Sequence, residues 1–140
     1  MPNGFDAEPV PTVPRGQAFV IAYAGSIYLD RDPRPLLHAA ARVIREQRLT
    51  PDDLRVEFMG NVKSFEGRTL ERIAEEEGIG PYVRRHPSAS RRLAVEFMAR
   101  ASMLVSLPQD SDWAIPGKMF EYMLFDAWLL ALALPGSATA

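Results

Sequence analysis

One stretch concentrates side chains with a use in chemistry: Ile115-Pro116-Gly117-Lys118-Met119-Phe120-Glu121-Tyr122. Pro116 or Gly117 opens a helix, because proline suits a first helical turn. A helix start offers free N–H groups and the positive end of the dipole, which favours an anion. Gly117 lets that anion approach the backbone and Lys118 adds charge, so a diphosphate suits the place. Glu121 follows Lys118 by one helical turn and faces the same side. Its carboxylate can accept hydrogen bonds from two vicinal hydroxyls, for which ribose is the natural candidate. By spacing alone, a capped helix with a surface Lys–Glu pair is the commoner reading.

Other polar residues carry weaker signals. Arg31 could neutralise an anion, but Asp30-Arg31-Asp32 also reads as a solvated charged turn. Asp110-Ser111-Asp112 fits a two-aspartate metal pattern, yet Asp30 and Asp32 fit it equally, so the pattern discriminates little. His38 and His86 are too few for a histidine metal site. The absence of cysteine rules out a disulfide framework, a thiolate zinc site and a cysteine nucleophile. Trp113, Phe120, Tyr122, Phe125 and Trp128 could stack on a base, but their spacing favours core packing.

The elements that must position these residues alternate. Met1 to Gln17, with four prolines and two glycines, reads as a linker, and residues 18–140 as one domain. Strands are expected at Phe19–Ala24, Leu54–Met59, Tyr82–His86, Met103–Leu107 and Trp128–Leu134. Helices are expected from a cap at Asp32, around Leu70–Ala74, after Ser88 or Ser90, and from Pro116 or Gly117 to Phe125. Strands alternating with helices predict an α/β fold, a parallel sheet with helices on both faces, in strand order 3-2-1-4-5. Ligands of such sheets bind beyond the strands' carboxyl ends, where strand order reverses. That rule selects Gly25 to Arg31, Arg84 to Ser90 and Pro108 to Glu121.

Composition agrees with a globular domain, at 140 residues, 47% hydrophobic and 24% charged. A net charge of -2 argues against a nucleic-acid partner and leaves room for a local anion site. The longest apolar run, Ala127 to Leu134, is too short to span a bilayer, and Met1 to Gln17 lacks a signal-peptide pattern. A cytoplasmic location is expected.

A family resemblance adds weight to the anion reading. Pro2-Asn3-Gly4-Phe5-Asp6 is similar to a hinge sequence, and five further segments follow in family order. They are Tyr23-Ala24-Gly25-Ser26-Ile27-Tyr28, then Arg31-Asp32-Pro33 with Leu36, Leu37 and Ala39 or Ala40, then Phe58-Met59-Gly60, Ala101-Ser102-Met103-Leu104-Val105, and Pro116 to Tyr122. Together they resemble the carboxyl-terminal, Rossmann-like nucleotide-sugar-binding domain of family-four retaining GT-B glycosyltransferases.

That resemblance implies a UDP- or GDP-sugar donor, its diphosphate met by Gly25, Ser26, Arg31, Gly117 and Lys118, and its ribose by Glu121. It implies base reading near Arg84, Arg85 and His86. Many members carry a second glutamate eight positions before this one; here Trp113 stands there, and Asp110 or Asp112 could take over sugar contacts. No metal or other cofactor is expected. The implied partner is an amino-terminal acceptor domain, through which any peripheral membrane association would come. The chain alone is expected to bind without turnover, its fold to be incomplete at the carboxyl end, and the uncovered edge of the fifth strand to favour a homodimer. Two other readings stay open: a sugar-nucleotide 2-epimerase with the same architecture, and a non-catalytic α/β interaction module such as a receiver-type domain.

Overall fold

The computed structural model of the chain describes residues 9–27, 31–108, 115, 117–137 and 139–140. Residues 9–18 contain no helix or strand, although Val10 packs against the second core cluster. β1 (Phe19–Ala24) leads to α1 (Arg34–Gln47) and β2 (Leu54–Met59). A small hairpin of β3 (Ser64–Phe65) and β4 (Arg68–Thr69) then precedes α2 (Leu70–Glu76) and β5 (Val83–His86). The chain continues through α3 (Arg91–Arg100), β6 (Met103–Ser106), α4 (Gly117–Tyr122) and β7 (Trp128–Ala131).

The main sheet runs β5-β2-β1-β6-β7, and every pairing in it is parallel. The expected order of the five main strands is the same arrangement; the numbering differs because the β3–β4 hairpin carries no sequence signal strong enough to predict it. The fold is therefore Rossmann-like α/β, with two cores divided by the sheet. Ile21 and Tyr23 of β1 join Leu54, Val56 and Phe58 of β2 under α1 and α2. Ala22 and Ala24, on the opposite side of the same strand, join Phe97, Met98, Tyr122 and Phe125 of the α3 and α4 side. β1 is thus apolar throughout because both its faces are covered. β2 alternates because only its α1 and α2 face is fully buried, leaving Arg55, Glu57 and Met59 half-buried on the other.

Local chemistry explains the helix starts. Pro33, not Asp32, occupies the cap position of α1, and Asp32 instead accepts the Arg34 N–H at 2.9 Å and binds its guanidinium. Ser90 caps α3 by accepting the Leu93 N–H at 3.4 Å. Thr69, which was not anticipated as a cap, caps α2 while also pairing in β4. Several ends fall short of expectation: β6 stops at Ser106, α4 at Tyr122 and β7 at Ala131. Tyr82 lies in a 3₁₀ turn ahead of β5, its hydroxyl donating to the Leu49 carbonyl at 2.7 Å. Among the described residues, no helix is long and apolar enough to cross a membrane.

Candidate functional site

The carboxyl ends of the central strands are joined on one side and parted on the other. Beyond the ladder of β1 with β2, the Gly25 N–H donates to Met59 O at 2.9 Å and the Ile27 N–H to Asn61 O at 3.0 Å. Gly60 fits this junction only as glycine: its φ is +128°, and a Cβ would lie 2.1 Å from the Gly25 carbonyl oxygen. Toward β6 the register stops at Ala22 opposite Leu104, two residues short of the end of β1. The Ala24 N–H and C=O, which point to the β6 side, have passed the end of that ladder. The Tyr122 hydroxyl accepts from the Ala24 N–H at 3.3 Å and donates to its carbonyl at 3.2 Å. One buried phenol thereby satisfies both orphaned groups and fastens α4 to the end of β1.

The gap left by this splay is a cleft of about 130 Å³, lined by Tyr23, Arg31, Ser106, Gly117, Lys118 and Leu107, with Tyr122 at its base. It sits between β1 and β6, where strand order reverses, the place where open α/β sheets bind ligands. Of the residues assigned to a diphosphate, Arg31, Gly117 and Lys118 line it together. Ser26 adjoins it through its carbonyl, which accepts from the Tyr23 hydroxyl at 2.8 Å and from Arg31 Nη1 at 3.2 Å. Gly25 makes room for that arrangement, since a Cβ there would stand 3.0 Å from the Tyr23 hydroxyl.

Among the described residues, charge at the cleft is lopsided. Lys118 is exposed, yet the packing around it lowers its pKa below lysine's ordinary 10.5. Burial is the main cause; Glu121 opposes it, while Arg91 and Arg31 add to it by repulsion. The described charges acting on Lys118 are thus two further cations and one carboxylate. Glu121 receives a guanidinium hydrogen bond from Arg91, and its side chain is largely covered while that of Arg91 is more than half exposed. Burial pushes the Tyr122 phenol far above tyrosine's usual range, so it stays a neutral donor.

Arg84, Arg85 and His86 do not gather at this cleft or form a loop. They belong to β5, whose alternation sends them to different faces. Arg85 donates to Glu71 of α2 at 2.7 Å. His86 lies on the α3 face, 3.0 Å from Glu57 and edge-on to Phe97 at 5.5 Å between ring centres. There it lines a separate and larger cleft, about 490 Å³, with Val20, Glu57, Met59, Phe97 and Arg100. Asp110, Asp112 and Trp113 lie outside the described residues, as do Pro116 and the Pro2 to Asp6 segment. His38, on the surface of α1, pairs with Glu77.

Arg91, Tyr122 and Ser106 escaped the sequence reading as site residues. Ser106 ends a strand and carries no signal of its own. Arg91 does carry one: a basic residue in a first helical turn opposes the helix dipole, and α3 has no acidic residue there to offset it.

No protein-family model matches the chain, and no curated protein matches it.

Proposed function

We propose that the domain binds a nucleoside diphosphate-sugar and serves as the donor-binding part of a glycosyltransferase. The observation that carries this reading is the convergence of Arg31 and Lys118 on one cleft at the strand-order reversal, with Arg91 close by and a single described carboxylate among them. A surplus of positive charge in a concave site favours a polyanion, and a diphosphate has the charge and breadth to engage both cations. Glu121, one turn along α4, would accept the ribose hydroxyls. Arg31 and Lys118 would also stabilise the leaving diphosphate as charge develops on it. In this reading the sugar passes, with retention at its anomeric carbon, to an acceptor held by the amino-terminal domain that the resemblance implies, in cytoplasmic glycan or polysaccharide synthesis.

Calorimetry with UDP, GDP and ADP tests the reading. One of them should bind, and Glu121→Ala should weaken that binding by at least ~1 kcal/mol. An interaction module would bind none, and unchanged affinity in the variant would remove Glu121 from the site. Incubation with donor and acceptor mixtures separates transfer from 2-epimerisation: epimerised donor would select the second.

A further inference from the structure

Arg91 stands where helix energetics disfavour it. It is the first residue of α3, where a cation faces the positive end of the dipole. Arg92 beside it has a local reason, a hydrogen bond to Glu96 one turn on at 3.1 Å. Arg91 instead reaches 30 positions along the chain to Glu121 of α4. The two side chains differ in exposure, 58% for the guanidinium and 14% for the carboxylate. The covered partner therefore has little freedom, and the exposed one holds it. Lys118, on the same side of α4, feels both charges.

From this geometry we infer that Arg91 is a positioning residue for the ligand's sugar ring. Its guanidinium occupies Oε1 of Glu121 and leaves Oε2 and the remaining lone pairs for a pair of vicinal hydroxyls. Held in one rotamer, the carboxylate loses less conformational freedom when a ribose arrives, so the contact discriminates more strongly between a diol and its absence. Arg91 touches no part of the ligand in this role. The inference rests on the nucleoside diphosphate reading and concerns only how Glu121 is presented.

The test compares whichever of UDP, GDP and ADP binds with its 2′,3′-dideoxy counterpart, in the wild type and in Arg91→Gln. Wild type should prefer the ribose form by about tenfold, the scale of one or two hydrogen bonds to a charged group. Arg91→Gln should cut that preference to roughly twofold, the ribose form losing about fivefold more than the dideoxy form, while removal of one cation near the cleft weakens both forms equally. Arg91→Lys should restore the preference in part. Equal total losses for both forms would make Arg91 a diphosphate contact and overturn the inference. A gain in ribose affinity would make the pair an obstacle and overturn it as well. If no nucleoside diphosphate binds the wild type, the phosphate reading itself fails and takes this inference with it. Binding with an unaltered ribose preference in Arg91→Gln defeats the inference alone. A ligand-free check uses arginine side-chain NMR: guanidinium rotation of Arg91 should be faster in Glu121→Gln than in the wild type, and equal rates would contradict the tie. Since Arg91 is exposed, both variants should fold, and circular dichroism confirms this for each.

Discussion

Replacing Tyr122 by phenylalanine isolates the contact that closes the end of the sheet. The ring stays in its core among Ala24, Phe97 and Phe125, so apolar burial is preserved and only the hydroxyl is lost. Its two bonds to Ala24 are long, at 3.2 and 3.3 Å, and Ala24 itself is only 2% exposed. Leaving one buried polar group unpaired costs about 1–3 kcal/mol. With long bonds placing each group at the low end, the pair should cost ~2 kcal/mol. At a urea dependence of about 2 kcal/mol per M, the unfolding midpoint should fall by roughly 1 M with an unchanged slope. Tyr82→Phe, which loses a single bond to Leu49 from a half-buried position, should cost about half as much. A loss below ~0.5 kcal/mol for Tyr122→Phe, or a larger one for Tyr82→Phe, would refute the claim that this phenol satisfies both Ala24 groups.

The same residue has a pH signature. Its folded pKa is raised above tyrosine's ordinary 10.0, chiefly by burial. Below that ordinary value the phenol is neutral in both states and its contribution is complete. As pH rises past it, the unfolded chain releases the proton while the folded chain keeps it, so stability falls. Urea midpoints measured through that alkaline range should therefore drop more steeply in the wild type than in Tyr122→Phe, and parallel curves would contradict the burial argument.

Other outcomes follow from the same region. Gly60→Ala should cost more than ~3 kcal/mol or prevent folding, because the left-handed backbone and the clash with the Gly25 carbonyl add together. Gly67→Ala, with φ +76° but open space around it, should cost only about 1–2 kcal/mol. Chemical denaturation of the two variants measures the difference, and equal losses would show that the close approach carries no weight. Lys118 has a lowered pKa, so its charge is lost as pH rises through a value under 10.5. Affinity for a bound nucleoside diphosphate should accordingly fall earlier on the alkaline side than an ordinary lysine would dictate. Lys118→Arg should move that fall upward, and calorimetric pH profiles that coincide for the two proteins would remove Lys118 from the site.

Much of the fold was legible because burial and periodicity agree along the chain. β1 is a continuous apolar run since both faces are covered, and α3 shows its core face through Phe97 and Met98. The hairpin before α2 was not legible, since Ser64-Phe65 and Arg68-Thr69 are too short to display a period. Within the site, Arg31 and Lys118 could be chosen because charge near a strand end is visible in sequence. The tie between Tyr122 and Ala24 spans 98 positions, and nothing local marks it. Tyr122 read as a core aromatic, which it is, while the role of its hydroxyl depends on where the β1–β6 ladder stops. Base reading near Arg84, Arg85 and His86 drew on the resemblance alone; the strand pattern already ran through His86, and alternation along β5 sends these neighbours to different faces.

The sign of charge at the sheet's carboxyl edge bears on the choice among the three functional readings. A receiver-type module needs carboxylates after its first strand and on its third, because it must hold a hard cation beside the group it phosphorylates. Here β1 passes into Gly25 and Ser26, β5 ends in His86, and the described charges around the cleft are Arg31, Arg91 and Lys118 against Glu121. Among the described residues, this balance favours an anion over a cation. That preference excludes neither enzyme reading, since transfer and epimerisation begin with the same bound diphosphate. What divides those two is a group able to take a proton from the sugar. The sugar contacts proposed for Asp110 and Asp112 can be tested by binding alone: Asp110→Asn and Asp112→Asn should leave nucleoside diphosphate affinity intact while weakening the extra affinity of the sugar-bearing donor, and unchanged donor affinity would remove both from that role.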